Sequence, residues 1–243
     1  MGTNQPPRFN PLRFTPFSIS LSISLVTTEE KISFMDMVDG NVGLAVNSVQ
    51  LPADQIELCI ELIKESLVEN ALSYQDTTRT QRKTREYGYS FFQLEQGGRE
   101  YTAIPEYLQG LGNAVCQALG KSPRPFSNVI VSLYESGFHL EPHVDVDVNQ
   151  DYHFYFHEDV FGVILESDAS GHLYITRHDD LDSLPPPGNP VWELVEAPGV
   201  AFCLEGNLRH HPYFHGVTPV THRRISVTFR EVGFLPNDKR DPS

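Results

Sequence analysis

The seven residues Arg224-Ile-Ser-Val-Thr-Phe-Arg230 alternate without a break between polar and apolar side chains. Successive side chains on extended backbone point to opposite faces, so Ile225, Val227 and Phe229 belong to an apolar interior. Arg224, Ser226, Thr228 and Arg230 then share the other face. A segment of this kind has to be a strand with something packed against its apolar side. Asn128 to Tyr134 alternates in the same way, and Phe161-Gly-Val-Ile-Leu165 and His172-Leu-Tyr-Ile-Thr176 are short strand candidates. Gly, Pro and Asp separate these runs, as in Leu184-Pro-Pro-Pro-Gly-Asn-Pro190, which reads as a surface loop. Short strands punctuated in this way predict a sandwich or jelly roll rather than a parallel α/β sheet.

The first half has a different period. Ile56, Cys59, Ile60, Ile63 and Leu67 follow the spacing of one helix face and predict a helix over residues 53 to 70. Pro105 at a first-turn position, then Leu108, Leu111, Val115 and Leu119, with Gly120 as a stop, predict a second. Residues 71 to 103 suggest a hairpin or loops, not a helix. The fold class is α+β, mainly β, with N-terminal helices supporting a β-rich second half.

Of 243 residues, 40% are hydrophobic and 15 are Phe, enough for one packed core, so wholesale disorder is excluded. The formal charge of −14 opposes the counterion-release attraction that drives nonspecific binding to a polyanion, so any nucleic-acid contact must be local. Cys59, Cys116 and Cys203 stand far apart without C-x-x-C spacing, which fits a reducing compartment. No run of about 18 apolar residues is present, so no membrane span is expected. Residues up to Thr28 lack acidic side chains, a weak hint of organelle targeting beside the plainer reading of a disordered tail or edge strand.

His143-Val-Asp145 is the strongest local chemical feature. Residues two apart on extended backbone project to the same side, so one imidazole and one carboxylate can act together. With a second histidine they would form a two-His-one-carboxylate triad, which suits non-heme Fe(II) because it leaves open positions for a bidentate oxoacid and O2. His215 lies just before the Arg224 to Arg230 strand, whose two arginines can grip a dicarboxylic acid.

The order Tyr134-Glu-Ser-Gly137, His143-Val-Asp145-Val-Asp147, Phe161-Gly-Val-Ile164, Pro198-Gly199, Glu205-Gly-Asn-Leu-Arg209, His215-Gly-Val217 and Arg224 to Arg230 resembles the AlkB-like dioxygenases. The resemblance covers about residues 50 to 232. It implies a double-stranded β-helix (jelly-roll) core and the use of Fe(II), 2-oxoglutarate and O2. It also implies that His143, Asp145 and His215 bind the metal and that Arg224 pairs with the distal carboxylate of 2-oxoglutarate. Arg230 would lie near the metal end and Tyr134 would give its hydroxyl to the cosubstrate. Ser132 and Ser226 sit where family members often have Asn. Asp147 occupies the position that approaches the base in nucleic-acid repair members. His215 is preferred to His210 and His211 because Gly216 and Val217 follow it directly.

For the family, hydroxylation of an N-methyl group sheds formaldehyde, so the implied activity is demethylation of nucleic acid, DNA or RNA. Arg79, Arg82, Lys83 and Arg85 form a basic run followed by Tyr87-Gly-Tyr89-Ser-Phe-Phe92. Phosphate contacts beside stacking aromatics would suit a single strand or a flipped base, so Arg82, Lys83, Tyr87, Tyr89 and Asp147 are candidate substrate residues. The same run also resembles branches whose proposed substrates are methylated protein side chains. A third reading is a binding module of the same fold without turnover. The implied organisation is a flexible extension over 1–45, an oxygenase domain over 46–235 and a tail over 236–243. An intracellular location, cytoplasmic or nuclear, accompanies this reading.

Overall fold

The computed structural model describes residues 46–69, 73–76, 81–145, 154–157, 159–168, 173–180, 190–209 and 211–235. The extension over 1–45, the tail over 236–243, most of the Pro-rich segment, and Asp147 lie outside the described residues. In chain order the elements are β1 (Val46–Gln50), α1 (Ala53–Glu69), β2 (Ser73–Asp76), β3 (Gln81–Tyr89), α2 (Phe91–Glu95), β4 (Tyr101–Thr102), α3 (Glu106–Ala118), β5 (Asn128–Tyr134), β6 (Leu140–His143), β7 (Phe154–Phe156), β8 (Val160–Glu166), β9 (Leu173–Arg177), β10 (Trp192–Glu193), β11 (Val200–Leu204), β12 (Tyr213–Val217), β13 (Arg224–Arg230) and β14 (Val232–Phe234). A 3-10 turn, Gly206–Arg209, connects β11 towards β12.

The strands form an eight-stranded sheet in the order β1-β11-β8-β13-β5-β3-β2, with β4 on β3. A four-stranded sheet runs β10-β9-β12-β6, and β14 pairs with β7. Every pairing is antiparallel. The predicted alternation governs both faces of the large sheet. Ile225, Val227 and Phe229 of β13 join Val129 and Val131 of β5 in one core with Ile56, Cys59 and Ile63 of α1 and Leu108, Leu111 and Val115 of α3. The opposite face buries Val160, Ile164, Phe202 and Leu204 against Leu173, Ile175 and Tyr213 of the small sheet. The result is helices, large sheet and small sheet in layers, a jelly roll with helical support.

Both predicted helices are present as α1 and α3. Pro105 is the residue that caps α3 rather than part of its first turn; its missing N–H costs nothing there because that group would lack a helical partner anyway. Residues 71 to 103 hold the predicted hairpin, β2–β3, and also a short helix that the sequence reading did not anticipate. Its first N–H, from Phe91, donates to the Glu86 side chain at 2.7 Å. That side-chain bond replaces the Ser90 hydroxyl cap, which is not made. Among the described residues no helix is long and apolar enough to cross a membrane.

Candidate metal and cosubstrate site

Antiparallel pairing of β12 with β6 sets His215 directly opposite His143, with ring centroids 4.3 Å apart. The chain leaves β6 at His143, and two residues later Asp145 turns its carboxylate to the same point, its N–H donating to the Arg209 carbonyl at 3.1 Å. Ligand atoms from His143, Asp145 and His215 all lie within 4.8 Å of one another. Gly216 explains how β12 comes so near its neighbours. A Cβ there would stand 2.6 Å from the Leu140 carbonyl oxygen and 2.7 Å from the Tyr174 hydroxyl, so a larger residue would push the strand out.

The proton states suit a metal. Burial drives the His215 pKa down to about 3, with His143 adding to the effect against Asp145, so the imidazole is neutral. His143 is likewise lowered, chiefly by burial, against Asp145 and the Glu141 carbonyl. That carbonyl lies 3.0 Å from His143 Nδ1, which donates to it as N–H and leaves Nε2 with a free lone pair. Burial, the largest single effect, would raise the Asp145 pKa, but Arg230, His215, His143 and Arg209 together outweigh it and hold the carboxyl well below the usual range. Arg230 Nη2 donates to Asp145 Oδ1 at 3.3 Å. Asp145 Oδ2 and His215 Nδ1 are buried without a hydrogen-bond partner among the described residues. Buried polar atoms left unsatisfied are costly, and a divalent cation would satisfy the carboxylate oxygen. Two neutral imidazoles and one ionised carboxylate therefore fit a hard-to-borderline divalent metal.

The cluster opens into a cavity of about 120 Å³, several times the room one water needs. Its walls carry Ser132 and Tyr134 from β5 and Arg224, Ser226, Thr228 and Arg230 from β13. Register places Arg224 opposite Tyr134 and Ser226 opposite Ser132, so four of the predicted cosubstrate residues form one patch. The Arg224 guanidinium lies 4.9 Å over the Tyr134 ring and donates from Nη1 to Ser226 Oγ at 2.9 Å. It is already paired with a carboxylate. Nε donates to Glu196 Oε2 at 2.6 Å and Nη2 to Glu196 Oε1 at 2.7 Å. Burial would lower the Arg224 pKa, and Glu196 together with Tyr134 more than compensates, so the charge is secure.

The predicted substrate residues are split by the pleat. Thr84 and Glu86 of β3 pair with Ser132 and Ile130, so even-numbered residues face the cavity, and Arg82 lines it. Odd-numbered residues face the helices. Tyr87 is buried in the core with α1 and α3 instead of standing in the cavity, because its register partner Val129 belongs to that core. Lys83 pairs with Glu135 at 2.7 Å, also away from the cavity wall. Tyr89, beyond Gly88, packs edge-on against Tyr101 and Phe234. Phe91 and Phe156 do line the cavity, stacked on each other at 6.1 Å. His211, His157, His178 and His222 stand apart from the triad on other partners, and His210 lies outside the described residues.

Sequence reasoning missed Glu196. An acidic residue in a loop reads as solvated, and nothing local signals that it lies beneath an arginine 28 residues on. Phe156, one of 15 Phe, carries no local signal that would place it at the cavity.

No protein-family model and no curated relative matches the chain. Among solved structures it is similar to a prolyl hydroxylase from Trichoplax adhaerens in complex with a hypoxia inducible factor peptide fragment, at 12% identity and TM-score 0.50, covering 76% of this chain and 82% of that one. It is also similar to OsALKBH1, at 16% identity and TM-score 0.49 over 76% and 97% of the two chains. A Pseudomonas putida prolyl-4-hydroxylase matches at 17% identity and TM-score 0.47 over 77% and 93%. The chain thus has the double-stranded β-helix fold of the Trichoplax prolyl hydroxylase, with a His-Asp-His cluster at the cavity between its eight-stranded and four-stranded sheets.

Proposed function

We propose that this protein is an Fe(II)- and 2-oxoglutarate-dependent oxygenase that hydroxylates an N-methyl carbon and so demethylates its substrate, with succinate, CO2 and formaldehyde as products. The convergence of His143, Asp145 and His215 in one cavity with Arg224 carries this reading. Bound Fe(II) and 2-oxoglutarate would supply the power to activate O2, which no side chain possesses.

The protein's own residues hold and shield. Arg230 keeps Asp145 ionised, and the Glu141 carbonyl orients the His143 ring. Arg224, Ser226, Ser132 and Tyr134 offer donors for the distal carboxylate of the cosubstrate. Phe202, Leu204 and Phe156 line the cavity with apolar surface that excludes water. Hydroxylated N-methyl groups lose formaldehyde unaided, so no side chain is required as a base in the final step.

For the substrate we infer an N-methylated base in a single-stranded or flipped nucleotide. Arg82 at the cavity, beside the apolar rings of Phe91 and Phe156, supports this. A methylated protein side chain is the second reading. It gains support because Tyr87 is in the core and Lys83 is paired with Glu135, so that among the described residues of the basic run Arg82 is the one that lines the cavity. Incubation with N-methylated oligonucleotides and with methylated peptides, followed by mass spectrometry and formaldehyde measurement, tests the choice. Release from peptides alone would sink the nucleic-acid reading, and no succinate with any substrate would favour a binding module.

A further inference from the structure

Glu196 lies in the loop between β10 and β11, is fully buried, and has no part in the triad. Its carboxylate accepts both donors of one edge of the Arg224 guanidinium, Nε at 2.6 Å and Nη2 at 2.7 Å. The same carboxylate is itself fixed by the Leu173 N–H at 2.9 Å and lies 3.4 Å from Ser167 Oγ. Glu196 therefore ties β13 of the large sheet to β9 of the small one. We propose that Glu196 is a positioning residue for the cosubstrate: by occupying the Nε/Nη2 edge of Arg224 it turns the Nη1 end towards Ser226 and the cavity, where the distal carboxylate binds. The inference rests on the oxygenase reading and deepens it.

A guanidinium can meet carboxylates along two edges, through Nε with one terminal nitrogen or through both terminal nitrogens. With the first edge filled by Glu196, an incoming carboxylate is confined to the second. Nη1 already donates to Ser226 Oγ, and the guanidinium carbon lies 4.9 Å from the centre of the Tyr134 ring, so contacts on several sides fix the group before cosubstrate arrives. Pre-organisation of this kind strengthens binding by removing the cost of ordering.

Glu196 also places a negative charge beside an anion-binding group, and this effect has the opposite sign. If it dominated, removing the charge would tighten 2-oxoglutarate binding. In Glu196→Gln the side-chain amide would set a donor against an Arg224 N–H, and the guanidinium would turn away from its present edge-on contact. Positioning therefore predicts weaker binding and repulsion predicts tighter binding.

The test is calorimetric titration of 2-oxoglutarate into wild type, Glu196→Gln and Glu196→Asp, each with Fe(II) and without O2, with folding checked by circular dichroism. Steady-state succinate formation supplies KM and kcat. Glu196→Gln is expected to raise both the dissociation constant and KM about tenfold or more, with kcat at saturating 2-oxoglutarate within about twofold of wild type. Glu196→Asp, which keeps the charge and loses reach, falls between. Unchanged or tighter binding in Glu196→Gln overturns the proposal while leaving the oxygenase reading intact. Absence of binding in wild type overturns both. Should Glu196→Gln fail to fold, Glu196→Asp decides, and wild-type affinity there overturns the positioning role.

Discussion

Arg82 and Lys83 are neighbours in the chain and stand on opposite faces of one sheet, Arg82 on the cavity wall and Lys83 paired 2.7 Å from Glu135. Under the proposed function, Arg82 is the one of the two that would meet a substrate in the cavity. Arg82→Ala is expected to raise KM for the substrate about tenfold with kcat little changed, as loss of a charge-assisted contact would. Lys83→Ala removes a half-exposed ion pair worth about 0–1 kcal/mol and should leave KM within about twofold. Equal effects of the two substitutions on KM would contradict the assignment of faces.

Tyr87 belongs to stability and not to substrate contact. Its side chain is 6% exposed within the core that α1 and α3 share with the large sheet. Tyr87→Ala is expected to cost about 3–5 kcal/mol, the usual range for truncating a large buried aromatic ring, read from denaturant unfolding. A loss under about 1 kcal/mol accompanied by a sharp rise in substrate KM would reverse the reading.

How much of this was legible follows from what each signal depends on. Alternation depends on nearest neighbours in the chain, so the faces of β13 and β5, and with them the shared patch of Arg224, Ser226, Ser132 and Tyr134, were open to reading. Helix periodicity is local too, and α1 and α3 stand where it predicted them. Composition grouped Arg82, Lys83 and Tyr87 together, whereas period two places Arg82 on one face of β3 and Lys83 and Tyr87 on the other. Glu196 was out of reach because its partner is fixed by a contact between the two sheets, which no local pattern encodes. The meeting of His143 with His215 is long-range as well. It was recognised through the resemblance, and register alone brings the pair together.

Gly216 sets the spacing on which that meeting depends. A Cβ at this position would approach two oxygen atoms to 2.6 and 2.7 Å, one of them backbone, so Gly216→Ala must displace β12. A loss of about 1–3 kcal/mol is expected from thermal unfolding, the range for overpacking, together with weaker metal binding. Unchanged stability and unchanged metal affinity would show that β12 has slack the packing does not suggest.

The three cysteines are buried and free, and burial raises each thiol: Cys59 and Cys116 to about 11, Cys203 further. A raised thiol pKa means the protonated, unreactive form prevails at pH 8. Incubation of the native protein with a thiol-labelling reagent at that pH should give almost no modification, and three labels per chain after denaturation. Rapid labelling of the native state would mean that one of these sites opens far more often than its packing allows.

The central claim is that His143, Asp145 and His215 hold Fe(II) in a cavity that also takes 2-oxoglutarate. Absorption spectra recorded without O2, as 2-oxoglutarate is added to protein and Fe(II), measure this most directly. The account predicts a metal-to-ligand charge-transfer band in wild type that is lost in His143→Ala. No band in folded wild-type protein, or a band that survives His143→Ala unchanged, would contradict it.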